Sequence, residues 1–238
     1  MGVIKWLRSV ADMLLPRYCK VCGCRLDFSE EHLCVLCLAR MPFCDNADLV
    51  NNISMRPFIH DRRVVHAASL FYYYKDSSYR NLIYHLKYYS HPSVGVLLGR
   101  MVAERLAGSG FFDGIDMIVT VPVTKRKLKK RGYNQCDYIA RGISSVVGTE
   151  WRGDVIRRLT SGVAQAKKGR YERLAANDGH NGIANPFVMS DQSAGLIGGK
   201  HILIVDDVLT TGATLNNVLS SIPLSNVRIS ILTLGVVL

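Results

Sequence analysis

Two groups of residues in this sequence have the types and spacing for chemistry. The first lies in Ile202-Leu203-Ile204-Val205-Asp206-Asp207-Val208-Leu209-Thr210-Thr211-Gly212-Ala213-Thr214. An apolar run of strand type, 201–205, ends in two adjacent carboxylates. A loop bearing hydroxyls and a glycine follows, then residues of helical type. The carboxyl end of a strand is where open α/β sheets bind ligands. Backbone N–H groups and Thr hydroxyls of such a loop suit a phosphate, and a helix N-terminus adds its positive dipole end. Gly212 lets the backbone come close. Asp206 and Asp207 repel a phosphate at short range, so they suit ribose hydroxyls, or a Mg²⁺ held by a sugar and its pyrophosphate. The plainer alternative is an acidic strand end before an ordinary helix.

The second group is Cys19, Cys22, Cys34 and Cys37, which read C-x2-C, eleven residues, C-x2-C. Two thiolates two residues apart grip one metal ion from a tight turn, and Gly23 permits the chain to fold round the sulfur. Two such turns make a closed tetrahedral set, which suits a structural Zn²⁺ with no open catalytic position. A redox pair needs only one C-x2-C and leaves the other unexplained. Cys24, Cys44 and His32 are substitutes for a ligand. Cys136 stands far off on a predicted helix face and reads as packing.

Between the two groups lies Lys125-Arg126-Lys127-Leu128-Lys129-Lys130-Arg131, six of whose seven residues are cationic. Clustered like charges repel, so a mobile loop that closes on an anion is expected here. Phosphate, pyrophosphate or a nucleic-acid backbone fits that charge, and a solvated loop is the bland reading.

The elements that must position these residues follow from periodicity. Strand-type stretches are expected at 64–74, 116–121, 154–159, 201–205 and 227–234. Helical spacing appears at 79–89, 94–106, 134–147, 171–176 and 213–222. Strands alternating with helices argue for an α/β fold, a mostly parallel sheet flanked by helices. An amphipathic helix over 1–16 precedes a zinc-binding module over 17–45. A linker rich in Asn, Pro and charge at 46–63 leads to the main domain, 64–238. The N-terminal helix suits docking on the protein's own body better than a membrane or partner. Glycines 108 and 110 lack the third glycine of a dinucleotide fingerprint, and the Gly-Lys ending at Lys200 lacks the spacing of a Walker loop.

Composition sets outer bounds. Of 238 residues, 48% are hydrophobic and 21% charged, which supports a globular core and argues against disorder. The formal net charge of +11 favours phosphate-bearing partners without choosing among them. No secretory signal and no bilayer-spanning run is expected, hence no stable membrane insertion. A cytoplasmic location, where thiols stay reduced, turns seven cysteines towards metal and away from disulfides.

The Asp-Asp-Val-Leu-Thr-Thr-Gly-Ala-Thr segment closely resembles the phosphoribosyl-pyrophosphate signature of type I phosphoribosyltransferases. The resemblance places Asp206 and Asp207 along the ribose hydroxyls as the catalytic pair, and Thr210, Thr211, Gly212, Ala213 and Thr214 round the 5′-phosphate. The paired cysteines, Leu82-Ile83-x2-Leu86-Lys87-Tyr88, Val121-Pro122-Val123, Arg131-Gly132-Tyr133-Asn134-Gln135 and the Asp-Asp loop occur in the order of the ComF family, which includes competence proteins of DNA uptake and GntX-like proteins. Gln165 and Arg170-Tyr171-Glu172-Arg173 resemble a later segment of that family. The resemblance implies a phosphoribosyltransferase-like domain with an N-terminal zinc module. It implies binding of phosphoribosyl pyrophosphate with Mg²⁺, and Lys125, Arg126 and Arg131 on the pyrophosphate.

Two functions from different classes follow. One is an enzyme that transfers a phosphoribosyl group to an acceptor not evident from any motif. The other is a non-catalytic accessory protein of DNA uptake, binding single-stranded DNA and a partner helicase through the basic segment and the zinc module. Tyr72, Tyr73, Tyr74, Tyr88 and Tyr89 offer base-stacking faces for the second, although such residues more often pack in a core or on a helix face.

Overall fold

The computed structural model describes residues 16–88, 91–159 and 185–238. In chain order these form α1 (Val35–Ala39), a 3₁₀ turn (Arg56–Phe58), β1 (Val64–Tyr72), α2 (Arg80–Tyr88), α3 (Pro92–Leu106), β2 (Met117–Thr120), α4 (Lys125–Arg131) and α5 (Gln135–Val147). There follow β3 (Trp151–Arg152), β4 (Ile156–Arg158), β5 (Phe187–Met189), α6 (Asp191–Ile197), β6 (His201–Leu209), α7 (Ala213–Ser220) and β7 (Arg228–Val236). The helices expected at 1–16 and 171–176, and the resemblance at 165 and 170–173, lie outside the described residues, Pro16 apart. No helix among the described residues is long and apolar enough to cross a membrane.

Five strands form one parallel sheet in the order β1-β7-β6-β2-β3, while β4 and β5 pair antiparallel beside it. Alternation along β6 feeds two cores. Ile202 and Ile204 share one with Leu215 and Val218 of α7 and Ile197 of α6. Leu203 and Val205 share the other with Leu82 and Leu86 of α2, Leu98 of α3, and Ile139 and Ile143 of α5. Strands buried on both faces read as continuous apolar runs, which is why 201–205 looked so strongly apolar.

Helix α5, which follows β2 and α4, therefore packs on one face and α7, which follows β6, on the other, although β2 and β6 are neighbours. That reversal opens a crevice outside their carboxyl ends. β6 runs to Leu209, beyond the expected end at 205, because it stays paired with β7 through Leu209↔Val236. β2 stops at Thr120, opposite Val205. Asp206 and Asp207 thus stand on the strand itself, on a ledge where its β2 neighbour has ended.

Helices α3 and α5 lie against each other backbone to backbone. A methyl group on Gly99 would overlap the Ile139 carbonyl, and one on Gly142 would overlap the Val96 carbonyl. These two glycines set the approach of α5, and hence the place of its first residues over the crevice.

The basic segment expected as a mobile loop is instead helix α4. Thr124 caps it, its hydroxyl accepting from the Lys127 N–H at 3.2 Å. Gly132 ends it in the left-handed region at φ 82°. Lys, Arg and Leu are good helix formers, and the cations Lys129, Lys130 and Arg131 in the last turn complement the helix dipole. Local propensity and two caps outweigh charge repulsion that water screens.

Residues 46–63, expected as a linker, hold little regular structure but are fastened to β1. Asn46 and Asn52 donate to the carbonyls of Ser69 and Ala67 at 2.9 and 2.8 Å. A buried hydroxyl chain joins Ser54, Ser69 and Thr233 through two 2.7 Å contacts.

Candidate functional site: an acidic pocket beside a basic cavity

A cavity of about 340 Å³ opens at the carboxyl ends of β6 and β2. Asp206, Asp207, Thr210 and Thr214 line it, together with Arg131, Lys87 and Gln135. Of the residues the sequence singled out, the cavity brings together the acidic pair, two loop hydroxyls and two cations of the basic segment, Lys127 and Arg131. Thr211 shapes the loop, its Oγ1 accepting from the Ala213 N–H at 3.4 Å. Gly212 caps α7 at φ 80°, and a Cβ there would stand 2.5 Å from Pro57. Only glycine meets both demands, so the loop's close approach is built by 46–63 as well as by its own residues. Arg126 lines an adjoining cavity of about 520 Å³, with Lys127, Lys130 and Arg131. Lys125 lines neither cavity.

Each residue of Arg131-Gly132-Tyr133-Asn134-Gln135 has its own task. Arg131 hydrogen-bonds the Gln135 side-chain oxygen, and its guanidinium lies 5.8 Å from the Tyr88 ring. Gly132 turns the chain out of α4. Tyr133 donates its hydroxyl to the Leu86 carbonyl at 2.6 Å, tying α5's approach to α2. Asn134 caps α5, accepting from the Cys136 N–H and donating to the Val121 carbonyl at 3.2 Å. Gln135 donates to Asp207 Oδ2 at 3.0 Å.

The two carboxylates differ in environment. Successive strand residues face opposite sides. Asp207 meets the α2 side, where Lys87 Nζ lies 2.7 Å from its Oδ2. Asp206 meets the Cys136 thiol, at 3.5 Å, and accepts the Asp207 N–H at 2.8 Å. Burial, with the neighbouring Asp207 charge, pushes the Asp206 carboxyl up to about 7. Burial also lowers the Lys87 ammonium, but the Asp207 and Asp206 charges more than offset it and the net shift is upward. Burial and the same carboxylates raise the Cys136 thiol well above its usual range. Cys136 is a packing residue, as its place on a helix face suggests, fully buried behind Asp206.

Lys87 and Gln135 were missed as site residues. Both stand in motifs that the resemblance quoted, but nothing in their spacing aims them at Asp207, seventy-two residues beyond Gln135. Tyr73 and Tyr88 line the pocket and Tyr72 another cavity. Tyr74 is exposed, and Tyr89 lies outside the described residues.

The cysteine block is a separate centre on the same core. The Sγ atoms of Cys19, Cys22, Cys24 and Cys34 lie within 4.8 Å of one another, an arrangement compatible with a structural metal site. Gly23, at φ 75°, donates its N–H to the Cys19 carbonyl and closes the first knuckle. Cys34 caps α1 and accepts the Cys37 N–H at 3.4 Å, which makes the second. Cys37, expected as the fourth ligand, sits beside the quartet. Burial, then Cys22, Cys34 and Cys19, push its thiol up. Hydrogen bonds with the Cys24 backbone and thiol bring Cys22 down to about 6, whereas Cys24 is pushed up to about 12, first by its bond with Cys22. Cys44 lies in the other core, pushed up to about 12 by burial.

Residues 147–236 match the phosphoribosyl transferase domain family. The DNA utilization protein YhgH of Salmonella typhi is 28% identical over 136 residues, 56% of this chain and 56% of that protein. The chain therefore spans about half the length of these relatives. Competence protein F of Haemophilus influenzae is 22% identical over 204 residues, 84% of this chain and 76% of its own. Competence protein ComFC of Streptococcus pneumoniae is 32% identical over 100 residues, 42% of this chain and 38% of its own. The matched domain carries β6, its acidic pair and the Thr/Gly loop, and the relatives are named as competence and DNA-utilization proteins; together these similarities support the ComF-family, phosphoribosyltransferase-like resemblance of the sequence.

Proposed function

We propose that the pocket binds phosphoribosyl pyrophosphate or a closely related sugar phosphate. One observation carries this: the acidic pair, the Thr210–Thr214 loop and Arg131 border the same 340 Å³ cavity, with further cations in the cavity beside it. Thr210, Thr214 and the N–H groups at the start of α7 hold the 5′-phosphate. Asp206 and Asp207 orient the ribose hydroxyls. Arg126 and Arg131 face the pyrophosphate; Lys125 contributes only its charge.

The carboxylate oxygens are of the kind Mg²⁺ takes, and a bound Mg²⁺ would neutralise the pyrophosphate. In the transfer reading, an acceptor atom bonds to the anomeric carbon as the C–O bond to pyrophosphate breaks, and pyrophosphate leaves with the electron pair. Positive charge grows on the sugar ring, close to Asp206 and Asp207. Orientation and fixed charge supply most of the rate.

Four thiolates of the cysteine block hold one structural Zn²⁺ in this proposal, in a chain that works in the cytoplasm. The doubled C-x2-C spacing nominates Cys19, Cys22, Cys34 and Cys37. The domain limits 17–45 and 64–238 belong to the same proposal.

Isothermal titration with phosphoribosyl pyrophosphate and Mg²⁺ tests the pocket. Saturable binding is expected, with loss of about a hundredfold in affinity for Asp206→Ala with Asp207→Ala. No binding by the wild type, or undiminished binding by the double variant, rejects the reading.

A second reading is single-stranded DNA binding in an accessory role for DNA uptake, with a helicase as partner. Exposed Tyr84 and Tyr88, with rings 5.6 Å apart, favour it, since Tyr88 lines a cavity with Lys127, Lys130 and Arg131 of α4. Its test is binding across a salt series: affinity should fall steeply with salt, and the fall should flatten when Lys127, Lys130 and Arg131 are neutralised.

A further inference from the structure

Lys87 stands where the two cavities meet, lining both the acidic pocket and the basic one. Its ammonium lies 2.7 Å from Asp207 Oδ2; the Asp207 side chain is 8% exposed and that of Lys87 25%. The same oxygen also accepts from Gln135 at 3.0 Å. Two adjacent buried carboxylates without a cation would repel each other and lose hydration. In the empty pocket Lys87 supplies that cation. A divalent ion reaching Asp207 through this oxygen must displace it.

The displaced ammonium has somewhere to go. Its four-carbon stem leaves α2 at the rim of the cavity lined by Arg126, Lys127, Lys130 and Arg131. That cavity is surrounded by cations and is a poor home for Lys87 until an anion is bound there.

We propose that Lys87 is a further ligand-binding residue that exchanges partners: it neutralises Asp207 in the empty pocket, then cedes that carboxylate to the divalent cation and turns to the anionic end of the sugar phosphate. The anionic half rests on the phosphoribosyl pyrophosphate reading above; the cationic half rests on the ion pair alone. Cation and anion binding become coupled through one side chain. Its removal must then act with opposite sign on the two, which loss of a merely structural contact would not do.

The test uses the full chain with its cysteine block metal-loaded and measures Mn²⁺ alone by electron paramagnetic resonance, then phosphoribosyl pyrophosphate in saturating Mg²⁺ by calorimetry. Lys87→Met should bind Mn²⁺ about tenfold more tightly than wild type and the sugar phosphate about tenfold more weakly, while Lys87→Arg stays within about threefold on both. Asp207→Asn should abolish the Mn²⁺ gain when combined with Lys87→Met. Should the Met variant not fold, Lys87→Gln carries the same comparison. Mn²⁺ affinity that is unchanged or lower in the variant overturns the exchange at Asp207. Sugar-phosphate affinity that is unchanged overturns its second half. If wild type binds no phosphoribosyl pyrophosphate, the ligand reading fails and takes the anionic half with it. A tenfold gain in Mn²⁺ affinity would still uphold the exchange at Asp207.

Discussion

The cysteine block and the acidic pocket reach their geometry by opposite routes. In the block, the clustered sulfurs of Cys19, Cys22, Cys24 and Cys34 come from two knuckles within sixteen residues, shaped by local hydrogen bonds and Gly23. In the pocket, Lys87, Arg131, Gln135 and Asp207 come from three helices and one strand, and only the sheet brings them together. The two regions are nevertheless joined. Cys19, Val21, Leu33, Cys34 and Cys37 share a core with Leu82, Ile83 and Leu86 of α2. Tyr79 donates its hydroxyl to the Cys37 carbonyl at 2.7 Å. Lys87 is on that same helix, so a locally built centre underpins one wall of a globally built one.

Metal removal should have the largest effect. Structural zinc sites carry apparent binding free energies on the order of 10 kcal/mol. A strong chelator, or Cys34→Ser, should open 17–45 to proteolysis, read by mass spectrometry of the fragments. It should also weaken ligand binding at the pocket through α2. Intact pocket affinity after the block has been cut would separate the two regions. Single variants then sharpen the ligand set. Cys37→Ser should lower metal content if the doubled spacing decides the ligands, and Cys24→Ser should lower it if the tight quartet does, as elemental analysis of each variant will show.

Next in size is the helix contact that places the pocket's other wall. Gly99→Val puts a branched side chain where the Ile139 carbonyl stands. Overpacking of this kind should cost about 3 kcal/mol or more in urea denaturation. Because α5 starts at Gln135, the same change should weaken the pocket, while the cysteine block keeps its metal. Equal loss of metal would show the two regions to be one cooperative unit.

How much of this was legible in the sequence follows the same division. The cysteine spacing, the acidic strand end and the glycine-hydroxyl loop are contiguous, so they stand out as groups without a fold. Alternating strands and helices were readable because β6 and β7 are buried on both faces and α5 keeps one apolar stripe. The α4 helix was misread as a loop because charge repulsion was weighed above the Thr124 and Gly132 caps. The roles of Lys87 and Gln135 were invisible, since each depends on a partner far along the chain. Cys24 was read only as a substitute because spacing says which sulfurs are near in sequence, whereas the fold of each knuckle decides which are near in space.

A proton distinguishes the regions further. Asp206 is raised to about 7, so between about pH 4 and 7 the folded, ligand-free protein holds a proton that the unfolded chain has lost. Stability from this group is present below about pH 4 and declines as pH rises towards 7. Asp206→Asn should flatten that slope in thermal denaturation. A bound divalent cation favours the ionised pair, so affinity for the Mg²⁺-loaded sugar phosphate should rise by at most about tenfold per pH unit up to 7 and level off above it. Calorimetry from pH 5.5 to 8.5, a range chosen to bracket about 7, measures this; an affinity that falls with pH across it would place the ionised pair away from the ligand.

The smallest change asks whether the wall formed by α2 is held from both sides. Tyr133 reaches the Leu86 carbonyl from the turn before α5, just as Tyr79 reaches the cysteine block from the start of α2. Tyr133→Phe keeps the ring, which packs edge-on against Tyr138 at 5.2 Å, and removes only the hydroxyl. The loss in stability should be about 1 kcal/mol, the worth of one partly buried hydrogen bond. The consequence for the pocket should be larger than that figure suggests, because Leu86 directly precedes Lys87. A Lys87 loosened from Asp207 should raise Mn²⁺ affinity slightly, in the direction of Lys87→Met but by a smaller factor. Tyr79→Phe, which frees the same helix at its other end, should leave Mn²⁺ affinity unchanged. If both variants behave alike, α2 moves as a rigid rod on the core and the side contributed by α5 has no special hold on the lysine.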